Sequence, residues 1–140
     1  MADKYNSEAY SDPTPFAALG AIEVEMEQAR GYRPTVYICS PYAGDVKANV
    51  ANARKYCRFA VTEGYIPLAP HLLFPQFLND SNPVERELGM HFGNVLMGIC
   101  RELWVFGDEI SQGMDREIRR ARNKGLRVRW FGADLKEAKK

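Results

Sequence analysis

Residues 103–131 read LWVFGDEISQGMDREIRRARNKGLRVRWF and hold a strand, a turn, a helix and a second strand in unbroken succession. LWVF is a continuous apolar run of strand length, the pattern of a strand covered on both faces. GDEISQG is turn chemistry, with glycine at each end and Asp and Ser between them. The periodicity then predicts a helix over roughly Met114 to Lys124. Gly125 stops it, and LRVRWF follows as the next strand. A helical crossover of this kind is right-handed and leaves its two strands parallel.

The same alternation runs upstream. TVYIC, Thr35 to Cys39, is a β-branched and aromatic run between Pro34 and Ser-Pro, as a buried strand requires. Val46, Val50, Ala53, Cys57, Ala60 and Val61 recur at helical spacing over Val46 to Glu63, and Gly64 ends that helix. Tyr65 to Ala69 is a second short strand, and HLLFPQFLNDSNP is a connection rich enough in Leu, Phe and Pro to pack as a lid. Helical period returns from Val84 to Ile99 through Val84, Leu88, Phe92, Val95, Leu96 and Ile99. The expected fold is α/β: a doubly wound, flavodoxin- or Rossmann-like parallel sheet of four to five strands, order 2-1-3-4, with helices on both faces. Pro15 opens an extra N-terminal helix running to about Arg30. The expected organisation is a tail and helix over 1–33, the α/β domain over 34–132 and a C-terminal tail over 133–140.

A chain of 140 residues, 46% hydrophobic and 26% charged, is the size of one ordinary domain with a real core. Nineteen basic against 18 acidic residues leave a net charge of +1, which gives the whole molecule no field for nucleic acid or an anionic membrane. The basic run from Arg116 to Arg129 reads as a solvated helix face, and Trp104 and Trp130 read as core. Cys39, Cys57 and Cys100 are odd in number and widely spaced, so they read as buried thiols of a reducing cytosol. The N-terminus lacks the basic start and apolar centre of a signal peptide, and no apolar run approaches the roughly 18 residues of a membrane span. The expectation is a soluble cytoplasmic protein. His71 and His91 have no nearby Cys or His partner, so neither a metal nor a cofactor is expected.

In a doubly wound sheet, ligands bind beyond the carboxyl ends of the strands where the winding reverses, here between the first and third core strands. That point unites two loops. Ser40-Pro41-Tyr42-Ala43-Gly44-Asp45 follows TVYIC, and Gly107 to Gly113 follows LWVF. Small residues beside hydroxyls and carboxylates suit a nucleoside pocket, and Ser111, Gly113 and Met114 at the helix start add unpaired N–H donors. The same residues also serve as plain turn formers. Glu117, about one turn into its helix, lies where the helix field favours an ionised carboxylate, able to act as nucleophile. An acid there also stabilises a helix by about 0.3 to 1 kcal/mol with no further role.

VYICSPYAGDV, YIPLAPHLLFPQFL, CRELWVFGDEISQGM and MDREIRRARNKG together resemble the nucleoside 2-deoxyribosyltransferase-like superfamily, in particular its DUF4406-type branch, over roughly Pro34 to Phe131. Gly113, Met114 and Glu117 match the Gly-Met-x-x-Glu that supplies the nucleophile in that superfamily. The resemblance further implies that Ser40 to Asp45 touch the sugar or a 5′ phosphate and that an aromatic residue, Tyr37 or Tyr42, lines the base. It implies a homo-oligomer whose subunits help close one another's pockets. Characterised members carry a second carboxylate before the third strand to protonate the departing base; here Gly93 and Asn94 stand there, and Arg101 follows.

Asp108, Glu109, Asp45, Glu87 and His91 are the remaining candidates for that proton, and Asp108 is carried forward beside Glu117. His71, after Ala-Pro at a strand end, is better placed than His91 for the pocket. Tyr37, Ser40, Pro41, Tyr42, Gly44, Asp45, His71, Asn94, Ser111, Gly113 and Met114 are the expected substrate-binding positions. The leading reading is an enzyme on the N-glycosidic bond of a nucleoside or deoxynucleotide, a deoxyribosyltransferase or hydrolase. The alternatives are a non-catalytic nucleotide-binding or sensing protein and an interaction protein using its N-terminal helix.

Overall fold

The structure is a computed structural model and describes residues 30–139. The expected N-terminal tail and helix lie outside the described residues, save 30–33. From Arg33 the chain forms one compact unit. Its elements are β1 (Thr35–Cys39), α1 (Val46–Thr62), β2 (Ile66–Leu68), α2 (Pro70–Leu73), a 3-10 turn (Phe74–Gln76), α3 (Pro83–Met97), β3 (Glu102–Phe106), α4 (Gln112–Asn123), β4 (Arg127–Phe131) and β5 (Glu137–Ala138). The sheet order is β2-β1-β3-β4-β5. Its first four strands are parallel, and β5 joins β4 antiparallel.

Local chemistry sets the element ends. Asp45 caps α1 by accepting the Ala48 N–H at 3.2 Å, and Asn82 caps α3 through Val84 and Glu85 with Pro83 at the first helical position. Ser111 caps α4, accepting the Met114 N–H at 3.1 Å. Gly107 leaves β3 at φ +100°, a left-handed turn that a side chain would strain, and Gly125 does the same at +81° behind α4.

Alternation along the strands divides the core into two layers. Val36 and Ile38 of β1, Trp104 and Phe106 of β3 and Phe131 of β4 pack under Tyr56 and Ala60 of α1. Tyr37, Cys39, Leu103 and Val105 face the other way, against Met97 of α3 and Met114, Ile118 and Ala121 of α4. Phe106 stacks between Tyr56, 4.2 Å away centroid to centroid, and Phe131, at 5.1 Å. Trp104 is fully buried, as expected of core; Trp130 is half-buried against the α4 layer.

Three expectations need correction. The buried face of α1 is Ala53, Tyr56 and Ala60, while Val46 and Val61 are exposed. On α3 the buried positions are Gly93 and Met97, and Val84 and Val95 are 76% and 57% exposed, as is Ile99, past the helix end, at 64%. Close packing here selects small or unbranched residues, so the most apolar stripe is not the inward one. Last, 137–138, within the expected tail, form β5. Arg129 holds that strand with two bonds to Glu137, at 2.7 and 2.9 Å, while a third reaches Glu102 at 3.3 Å and its guanidinium lies over Trp104.

Phe106→Ala removes the central ring of the α1 layer, and the expected cost is about 3 to 5 kcal/mol, read as a lower midpoint in urea unfolding.

Candidate active site

Beyond the carboxyl end of β1, and beside the start of α4, lies a cavity of about 370 Å³. Its floor includes Tyr37 and Ser40 from β1 and the loop after it; its sides come from Pro70, His71 and Phe74, from Met90, Gly93, Asn94 and Met97 of α3, and from Ser111, Gly113, Met114 and Glu117 around the start of α4. Gly93 brings α3 close: a Cβ there would lie 3.2 Å from the Tyr37 hydroxyl oxygen.

Glu117 is half-buried and held through both oxygens. The Tyr37 hydroxyl donates a short hydrogen bond to Oε2, and the Cys39 thiol lies 3.5 Å from Oε1. Burial raises the Glu117 pKa above the ordinary carboxylate value, against the lowering effect of the bonds from Tyr37 and Cys39 and of the Arg120 and Arg116 charges. This corrects the expectation drawn from the helix field: Glu117 is the sixth residue of α4, past the turn where that field is strong, and desolvation prevails. Burial first, and the Glu117 charge second, raise Tyr37 and Cys39 well above their usual values, so both keep their protons and serve as donors.

Ser40 Oγ and His71 Nε2 share a hydrogen bond of 2.8 Å on the cavity wall. Burial lowers the His71 pKa to about 4, which leaves a neutral imidazole near pH 7. Asn94 Oδ1 is buried without a hydrogen-bond partner, the sole such side-chain atom among the described residues. Arg86, Arg116 and Arg120 also line the cavity, beside Asp80 and Glu85.

The structure thus brings together Glu117, Tyr37, Ser40, Tyr42, His71, Asn94, Ser111, Gly113 and Met114. It places Asp108 elsewhere: with Pro41 and Glu109 it lines a separate hollow beside Tyr56, because the left-handed turn at Gly107 directs the chain that way. Asp45 caps α1 with Gly44 in the turn before it, and neither lines the cavity. Glu87 and His91 are exposed on α3, away from the cavity lining. Reading the sequence missed Cys39 as a donor, although its place two residues after Tyr37 puts both on one face of β1. It also missed Arg116 and Arg120, which were assigned to a solvated face. All three cysteines are free; Cys39 and Cys100 are buried, and Cys57 is only half-buried. Among the described residues no cluster of His, Cys, Asp or Glu is arranged to hold a metal ion, and no helix is long and apolar enough to cross a membrane.

The family model of DUF7768, a domain of unknown function, matches residues 34–131. The chain belongs to the DUF7768 family. This match stands where the sequence resemblance pointed to a DUF4406-type branch. No curated protein matches the DUF7768 chain. Among solved structures it is similar to the 2-deoxyribosyltransferase of the psychrotolerant bacterium Bacillus psychrosaccharolyticus, with a TM-score of 0.56, 16% identity, and coverage of 70% of this chain and 72% of that one. At that identity the likeness is one of fold, and this DUF7768 member has the 2-deoxyribosyltransferase-like α/β fold.

His71 gives a signed pH test. With its folded pKa below the unfolded 6.5, the unfolded chain binds the extra proton, so His71 costs stability as pH falls from about 6.5 towards about 4. His71→Gln is expected to flatten the loss of Tm across that window relative to wild type.

Proposed function

We propose that this protein cleaves the N-glycosidic bond of a nucleoside or deoxynucleotide, with Glu117 as nucleophile. The observation that carries the reading is the hold on Glu117: a carboxylate fixed at both oxygens by Tyr37 and Cys39 in the wall of a cavity that can admit a nucleoside. Such a carboxylate attacks the anomeric carbon as the bond to the base breaks, giving a glycosyl ester that water or a second base then releases. Partial desolvation keeps it basic enough to attack. The fold relation to a 2-deoxyribosyltransferase supports the same chemistry.

The other polar groups fit roles in binding. The unpartnered Asn94 oxygen awaits a donor from a bound molecule, and neutral His71, tied to Ser40, exchanges hydrogen bonds without adding charge. Arg86, Arg116, Arg120 and the capped start of α4 make the mouth suited to an anionic group such as a 5′ phosphate. With Asn94 where the resemblance implies an acid, the departing base draws its proton from water or from a rim carboxyl, Asp80 or Glu85, in place of Asp108. We place the protein in the cytosol, in keeping with its free thiols, and as a homo-oligomer, in keeping with the exposed apolar residues of α3.

Incubation with deoxynucleosides and their 5′ monophosphates is expected to release free base, and Glu117→Ala to lower kcat about 10³-fold or more. Asn94→Ala is expected to weaken binding about tenfold by titration calorimetry, since the ligand's donor loses its acceptor. Saturable binding with no base release from any of them would favour a nucleotide-binding or sensing role instead.

A further inference from the structure

We propose that Cys39 is a positioning residue for Glu117: its thiol donates to Oε1 while the carboxylate is charged and turns to the Met114 carbonyl when that charge is neutralised. Sγ lies 3.5 Å from Glu117 Oε1 and 3.8 Å from Met114 O, so two acceptors on successive turns of α4 compete for one hydrogen. Cys39 is fully buried, so no solvent supplies a third choice. The alternation of β1 fixes the arrangement: Tyr37 and Cys39 project from one face of the sheet onto one carboxylate, while Ile38 between them enters the opposite layer.

A negative oxygen is the stronger acceptor and takes the thiol hydrogen in the resting state. Protonation of Glu117, or ester formation on attack, removes that charge, and the carbonyl of Met114, which has a second lone pair, becomes the better acceptor. The thiol hydrogen moves by rotation alone; no bond to sulfur breaks. A thiol is also a weaker donor than a hydroxyl. It steadies Oε1 with little loss of the basicity that attack needs, whereas Tyr37 fixes Oε2 firmly.

The groups facing Glu117 are Tyr37 and Cys39 from β1 and Arg116 and Arg120 from its own helix; His71 of α2 and Glu85 and Arg86 of α3 line the same cavity. The kinetic consequence rests on Glu117 being the nucleophile, whereas the coupling itself does not. The test is therefore a ¹³C NMR titration of the Glu117 carboxyl, identified by its loss in Glu117→Gln, on the full chain without substrate.

Cys39→Ala is expected to raise the Glu117 titration by about half a pH unit, the worth of one modest hydrogen bond to the charged form. Cys39→Ser keeps a donor and is expected to titrate at or below wild type. Cys100→Ala, which alters another buried thiol of the same layer, should leave the curve in place. A Cys39→Ala curve that coincides with wild type, or a Cys100→Ala curve that moves as far, overturns the proposal. Should Cys39→Ala fail to fold, a Cys39→Ser curve above wild type overturns it and one at or below supports it. Where base release is observed, the acid limb of kcat/KM follows the same order. Its absence from every substrate defeats the glycosidic reading and leaves the titration to judge Cys39.

Discussion

A carboxylate pressed against a buried strand is the constraint on which the site depends. Glu117 reaches from α4 to the face of β1 that forms the core, and the desolvation this entails opposes its charge. The arrangement holds because β1 offers two proton-bearing side chains at adjacent same-face positions, each itself kept protonated by burial. Either partner alone would leave one oxygen without a donor from the strand. The sheet is thus more than a scaffold under the cavity, since its inner strand β1 supplies the donors that make the charge tolerable.

Most of the architecture could be read from the chain. TVYIC, LWVF and LRVRWF announce strands by composition, turn residues separate them from helical repeats, and right-handed crossovers leave few ways to order the strands. The C-terminal strand could not be read, because two residues have no periodicity and this pair is held by an ion pair from Arg129 on the neighbouring strand. The inward faces of α1 and α3 were misread for a related reason. Tyr56 and Gly93 contribute by shape, and a count of apolar residues favours Val and Ile that lie outside.

The site divides along the same line. Glu117, Ser40, His71 and Ser111 followed from their positions at strand ends and a helix start, which are local facts. The separation of Asp108 from Glu117 was not local: it follows from the direction taken at Gly107, where φ is +100°. Arg116 and Arg120 were assigned to solvent because charge on a helix does not say which side meets a cavity. Cys39 was legible in principle from the two-residue repeat of a strand, yet a thiol in an apolar run reads as filling until its acceptor is in view.

The cavity has two unlike sides. Glu117 and its donors belong to α4 and β1, locked into the sheet and one core layer, whereas the facing side is a four-residue helix, a 3-10 turn and half of α3. Substitutions along 70–94 can therefore reshape the cavity while Glu117 and its two donors stay where they are. The cavity is thus free to vary on one side only: the α2–α3 side is open to remodelling, and the sheet side is tied to the core of the fold.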